Sequence, residues 1–360
     1  MHKNIPLVIG ITILFLGTCI TPSVAFDNVK NAYTPISNGN TLYVGGSGEG
    51  NYSSIQDAIN DASDGDTVFV YNGIYYENIE VDKSINLFGE DKEITIIDGN
   101  YSGNVVNINS VWVNISGFIL KNCGDEYGDV GILIKSNYNT IYSNNISSNK
   151  RGGIHLMNCN FNIIRNNTLS NNGKCNTTLF AIELDNSHNN TIIGNIISSN
   201  NAYGLRILES SDNNISYNTI SNNHETGILL GDYWNNRNNN ITHNIISNNE
   251  HGIDIFQSVN NTIEFNNICN NEYGVYIVYN ARNFIIKNNF IKNKKHTYCV
   301  PWKEDEFDSN FWDNWIGVRI KLPIFQRFPK VIVSFAFFIP IIMFDWHPAK
   351  EPYDIGVQDE

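Results

Sequence analysis

From about residue 115 onward, apolar residues fall in clusters of two or three, set apart by Asn, Ser or Gly. The clusters belong to a recurring unit, Ile-x-x-Asn-x-Ile-Ser-x-Asn, followed by a short spacer and Gly-Ile-x-Leu. Its first asparagine falls at Asn144, Asn167, Asn195, Asn218, Asn244, Asn266 and Asn289, in steps of 23, 28, 23, 26, 22 and 23 residues. A period near 23 built from short β-favouring segments predicts a solenoid, in which each unit buries its apolar face against its neighbours. The two long steps predict loop insertions around 174–179 and 232–238.

Behind each glycine the apolar pattern alternates with period two. The inward pairs are Ile132/Ile134, Ile154/Leu156, Ile182/Leu184, Leu205/Ile207, Ile228/Leu230, Ile253/Ile255 and Val275/Ile277. Alternation of this kind predicts strands, whereas a leucine-rich repeat wants a leucine frame and a helical return. Each pair is expected to stack on its counterpart one rung away, about 4.8 Å distant. The glycine before the pair is expected to permit a tight bend. The repeated asparagines are expected to stack in one column as an amide ladder. The predicted fold is all-β, a right-handed parallel β-helix of about 12 rungs. Before the repeats, Ser54 precedes apolar residues at Ile55, Ala58, Ile59 and Ala62, the spacing of a short amphipathic helix placed to cap the first rung.

The opening Ile55-Gln-x-Ala-Ile, Gly65-Asp66-Thr67-Val68, Gly73-Ile-Tyr75, Lys83-Ser84-Ile85-x-Leu87-x-Gly89 and Thr95-Ile-Ile-Asp98-Gly99 resembles that of pectin-lyase-like β-helix proteins. With Val113-x-Ile115-Ser116-Gly117-Phe118 and the repeats, the chain resembles their NosD-type branch, the carbohydrate-binding and sugar-hydrolysis domains. The ending Asn310-Phe-Trp312-Asp-Asn-Trp315-Ile-Gly317 resembles a closing rung of such secreted or cell-surface proteins. The resemblance spans roughly residues 40–317 and implies a fold far more than an activity.

Composition sharpens this picture. About one residue in six is asparagine, a poor helix former, and only 16% of the chain is charged. The net charge of −13 argues against a nucleic-acid partner. Residues 1–25 read as a signal peptide, with His2 and Lys3 before an apolar run and Ser23-Val24-Ala25 as the cleavage pattern. The expected organisation is signal 1–25, linker 26–50, β-helix 51–310, and a C-terminal cap and acidic tail 311–360. The expected location is the cell surface or the medium, as a monomer. Of the six cysteines, Cys19 is expected to leave with the signal, and the remaining Cys123, Cys159, Cys175, Cys269 and Cys299 are odd in number and irregularly spaced, so no disulfide framework follows.

The outward residues behind the glycines are Leu133, His155, Glu183, Arg206, Leu229, Asp254 and Tyr276, in rung order. A β-helix holds such a row at the spacing of a polymer, so His155, Glu183, Asp185, Arg206, Asp254 and Tyr276 are candidate glycan contacts. Tyr233 and Trp234 of the second insertion join them, since rings on a protruding loop stack on sugars. The competing reading of His155, Glu183 and Arg206 is an exposed ion-pair ladder worth about 1 kcal/mol or less per contact. As surface residues, Glu183 and Arg206 would then tolerate alanine with little change in stability. Neither the paired aspartates nor the Gly-His-Gly of galacturonan hydrolases occurs. No metal or cofactor site is expected: the histidines are scattered, and Asp125, Glu126 and Asp129, like Asp61, Asp64 and Asp66, read as solvated turns. Two classes of function stay open. One is a non-catalytic envelope or glycan-binding protein. The other is a polysaccharide lyase, epimerase or hydrolase, and the resemblance adds a NosD-like copper accessory role.

Overall fold

The computed structural model describes residues 39–173, 179–231, 236–278, 282–300, 305–314, 329–336 and 339–355. The signal-like segment, Cys175, Tyr233, Trp234 and Trp315 lie outside the described residues. Each turn of the chain contributes three short strands, represented by Thr140–Tyr142, Asn145–Ser147 and Gly152–Met157. Equivalent strands pair in parallel from turn to turn, Ile141 beside Ile115 and Ile164, and Ile146 beside Leu120 and Leu169. Among the described residues this builds a first, second and third sheet of 12, 11 and 10 strands. The architecture is a right-handed parallel β-helix of about 11 turns, nearly free of helix.

The inward pairs of the third sheet stack in the expected register, Ile154 on Ile182 on Leu205 on Ile228, and all are fully buried. Apolar burial along this interior is the main stabilising term, at about 25 cal/mol per Å² of area removed from water. The helix Ile55–Asp61 packs Ile55, Ala58 and Ile59 toward the first strands. Glu77 accepts from the backbone N–H groups of Ile55 and Gln56, both at 2.9 Å. The coil begins earlier than expected: Thr41–Val44, inside the segment expected to be linker, already pairs with Thr67–Val70. Phe311–Trp312 still pairs with Asn289 and Phe290, so the coil also runs slightly past residue 310.

Asparagine ladders line the corners, and there are three columns where the sequence pattern suggested one. The first runs Asn139, Asn162, Asn190, Asn213, Asn239, Asn261 and Asn283. The second runs from Asn144 through Asn167, Asn195, Asn218, Asn244 and Asn266 to Asn288 and Asn310. The third runs Asn149, Asn172, Asn200, Asn223, Asn249, Asn271 and Asn293. Asn289 is therefore not in the second column. It lies on the second sheet beside Asn267, and its neighbour Asn288 fills the ladder position. The sequence carries Asn-Asn doublets at both rungs, so spacing alone left the last step ambiguous by one residue.

Asn218 shows what each ladder amide does. Its Nδ2 donates to Ile192 O at 2.9 Å, Ser216 O at 3.0 Å and Asn244 Oδ1 at 3.0 Å. Its Oδ1 accepts from Asn195 N at 2.9 Å and Asn195 Nδ2 at 3.0 Å. The bond to Ser216 O spans Tyr217, which sits in the left-handed region at φ 56°, and so holds a strained corner closed. The glycines before the inward pairs play a different part from the expected bend. A Cβ on Gly252 would lie 2.5 Å from Gly274 O in the next rung, so glycine is required by close approach of the backbones.

All three ladders end on a titratable acceptor. Asp305 Oδ1 accepts from Asn283 N and Nδ2 at 2.9 and 3.0 Å. Asp345, fully buried, accepts from Asn310 N at 2.9 Å and from Trp312 Nε1 at 2.9 Å. His296 Nδ1 meets Asn293 Nδ2 at 3.3 Å while its Nε2 faces Asp313 Oδ1 at 2.7 Å. The Nε2 proton belongs toward the carboxylate, which leaves Nδ1 as the acceptor.

Two predictions follow from the ladders. Asn218→Leu keeps the branching at Cγ but strands buried backbone groups on both neighbouring rungs, and is expected to cost about 3 kcal/mol or more in urea unfolding. The exposed Asn201→Ala is expected to cost less than about 0.5 kcal/mol. Equal effects of the two would refute the ladder's role. Burial lowers the pKa of His296, outweighing the pull of Asp313 in the other direction. A base depressed on folding contributes stability above its unfolded pKa of about 6.5, lost as pH falls toward the folded value. The stability gap between the wild type and His296→Gln should therefore narrow on acidification from pH 7 to 5, measured by thermal melting.

Candidate functional site

Parallel pairing places the outward residues of the third sheet in one row. Leu133 lies beside His155, His155 beside Glu183, Glu183 beside Arg206, and Arg206 beside Leu229. The row continues through Asp254, Tyr276 and Tyr298. Alternation along Phe180–Asp185 sends Ile182 and Leu184 inward, so Glu183 and Asp185 both face out, two residues apart on one strand.

His155, Glu183, Asp185 and Arg206 come together in a cleft of ≈ 390 Å³. Its walls are a small apolar cluster outside the coil, Val130, Leu133 and Phe180 with Met157 against them, and the turn that carries Tyr127 and Asp129. This cover buries what the sequence led us to expect on an open surface. Glu183 is only 6% exposed. Its Oε2 accepts from Arg206 Nη1 at 3.0 Å, and its Oε1 lies 3.6 Å from His155 Nε2. The edge of Phe180 meets the His155 ring at 5.5 Å. The expected exposed ion-pair ladder is thus a buried cluster, because Phe180 and Leu133 occupy the flanking outward positions and exclude water.

The electrostatics follow from that burial. Desolvation, with Arg206 and Lys135 adding to it, pushes the His155 pKa down to about 4, so the imidazole is neutral at pH 7. Burial and the nearby Glu209 raise the pKa of Asp185, against the opposing effect of Arg206. One oxygen from each carboxylate and the imidazole nitrogen all lie within 4.8 Å of one another.

The rest of the expected row is apart from this cluster. Asp254 and Tyr276 line a separate, shallower hollow of ≈ 270 Å³ with Leu229 and Phe256. Asp254 Oδ2 lies 3.3 Å from His251 Nδ1, and Tyr276 is stacked between His251 and Tyr298 at 4.5 and 4.6 Å. In the two acidic turns read as solvated, three of the carboxylates accept from backbone N–H groups. Asp129 accepts from Glu126 N, Asp66 from Asn40 N and Ser63 N, and Asp64 from Ser84 N. Sequence reasoning passed over Tyr127 and Arg151 at the cleft mouth. Tyr127 is 96% exposed, with the Arg151 guanidinium 5.5 Å from its ring centre. Only the turn between 123 and 130, longer than its repeats require, signalled them.

Residues 130–291 match the family model described as right handed beta helix region. No curated protein matches the chain in sequence. Among solved structures, the chain is similar to the mannuronan C-5 epimerase AlgE4 A-module of Azotobacter vinelandii. That likeness has TM-score 0.62 and 16% identity, covering 75% of this chain and 87% of that one. Pectate lyase Pel9A is similar at TM-score 0.52 and 15% identity, over 76% and 80% of the two chains. ORF18 of Geobacillus virus E2 is similar at TM-score 0.57 and 16% identity, where 70% of this chain covers 57% of that one. These likenesses establish the fold.

The cluster's burial carries a prediction opposite to that for a surface pair. Arg206→Met removes the cation and leaves the Glu183 carboxylate desolvated, and is expected to cost about 3 kcal/mol. Adding Glu183→Gln should recover part of that loss. A double-mutant cycle by urea unfolding checks it; additive losses would mean that the two side chains do not depend on each other.

Proposed function

We propose that this chain is an exported glycan-binding protein that holds a neutral polysaccharide along the outward face of the third sheet. Its deepest contact would be in the cleft of Glu183, Asp185, His155 and Arg206. The observation that carries this reading is a rigid row of outward side chains that ends in a partly enclosed polar cluster. Rungs about 4.8 Å apart match the length of one sugar unit closely enough for successive residues to meet successive side chains. Carboxylates at Glu183 and Asp185 accept hydrogen bonds from sugar hydroxyls, and the exposed Tyr127 ring at the mouth offers a flat stacking face. The net charge of −13 favours a neutral glycan over a polyuronate, which the whole surface would repel.

Other proteins of this fold, a mannuronan C-5 epimerase, a pectate lyase and XylC in complex with xylose, support a carbohydrate role. Export rests on the signal-like residues 1–25. The rigid scaffold lowers the ordering cost of binding, since the row is already fixed by backbone pairing.

Retention of the purified protein on immobilised neutral and uronate-containing polysaccharides tests the proposal. Retardation on a neutral glycan is expected, and Tyr127→Ala and Asp185→Asn should each weaken it about tenfold without lowering the melting temperature by more than a few degrees. Preference for polyuronates, or retention indifferent to both substitutions, would sink this reading. Reducing-end and unsaturated-product assays on the same glycans tell a binder from an enzyme.

A further inference from the structure

We infer that His155, Glu183 and Asp185 form a binding site for one divalent transition-metal ion, with Zn²⁺ the metal best suited to the ligand set. The inference rests on geometry independent of the glycan reading. Two polar atoms, His155 Nε2 and Glu183 Oε1, face each other at 3.6 Å, outside hydrogen-bond range. The Nε2 atom is shielded from solvent and has no hydrogen-bond partner among the described residues. An imidazole nitrogen turned toward a carboxylate oxygen at this distance is an arrangement that a cation between them satisfies. Asp185 brings the third ligand atom, with all three within 4.8 Å of one another. Ligands of a tetrahedral zinc are about 3.4 Å apart, so Nε2 and Oε1 already stand near that separation. Asp185, within 4.8 Å of both, joins them by a side-chain adjustment.

The surrounding charges permit the ion and help to hold its ligands. Arg206 and Lys135 are cations that oppose it; Arg206 Nη1 lies against Oε2 of Glu183, while Oε1 is 3.6 Å from His155 Nε2. The carboxylates of the cleft, Glu183, Asp185 and Asp129, balance its cations, Arg206, Lys135 and Arg151, so no net positive charge stands against the ion. Arg206 would then orient a metal-binding carboxylate from behind, as outer partners of metal ligands commonly do. A nitrogen ligand with two carboxylates disfavours Ca²⁺, which takes six to eight oxygens, and suits zinc or manganese. Three protein ligands beside an open cleft are the pattern of a site with a free coordination position. If the glycan reading holds, adjacent sugar hydroxyls entering the cleft would complete the shell.

Calorimetric titration of Zn²⁺ into the chelator-treated mature chain is the test. One ion per chain at micromolar affinity is expected, and Co²⁺ substitution should produce visible absorption bands. His155→Ala and Asp185→Asn should each weaken binding at least tenfold; Asp185 is half-buried, so its variant guards against a folding defect at His155. Binding weaker than millimolar, or binding unchanged in both variants, overturns the inference. The two proposals fail separately: glycan retention that survives chelation, with no Zn²⁺ bound, removes the metal alone, and Zn²⁺ binding without glycan retention removes the glycan alone.

Discussion

The structure depends on satisfying amide groups at the corners of a coil whose interior is otherwise apolar. A corner residue must turn through a strained backbone conformation, and the polar groups around it are buried by the next rung. A single asparagine resolves both demands. Its carbonyl oxygen takes the backbone N–H one rung away, and its amide nitrogen caps carbonyls of its own and neighbouring rungs, as Asn218 does with Ile192 and Ser216. Because every amide needs the next, the columns are cooperative along the axis. Their ends pass this demand to Asp305, Asp345 and His296, so closing the coil is an electrostatic problem as much as an apolar one.

With the corners and interior committed, the outward face of the third sheet is free to vary. The row from Leu133 to Tyr298 mixes apolar, charged and aromatic side chains. Chemistry gathers where an outward apolar cluster and a long turn together shield part of that row. Phe180 and Leu133 lower the local polarity around His155, and this is why a neutral imidazole, a buried carboxylate and a guanidinium settle within a few ångströms of each other. Farther along, Asp254 and Tyr276 occupy a shallower hollow.

Much of this was legible from the chain alone, for a physical reason. Stacking copies the same local environment at every rung, so the inward pairs, their register and the parallel pairing of the third sheet are written as a period in the sequence. Reading failed where the repeat offered two equivalent residues, as at Asn288 and Asn289. It failed again where one residue type serves two needs, as with glycines required by backbone approach and not by a bend. The three columns were also hidden, since a single unit contains asparagines at several corners and only pairing separates them.

The sequence by itself determined the repeat, the strand alternation and the order of side chains along the outward row. Each follows from interactions within one unit and between identical neighbours. Only the tertiary structure decided the environment of that row: that Glu183 is enclosed, that Arg206 takes one of its oxygens while His155 faces the other, and that Asp254 is apart from them. Burial depends on what covers a position, and the cover comes from Phe180, Leu133 and the turn bearing Tyr127, which the period does not describe. Charge and hydrogen-bond energies scale with that enclosure, so the chemistry of the row is a property of packing and not of residue order.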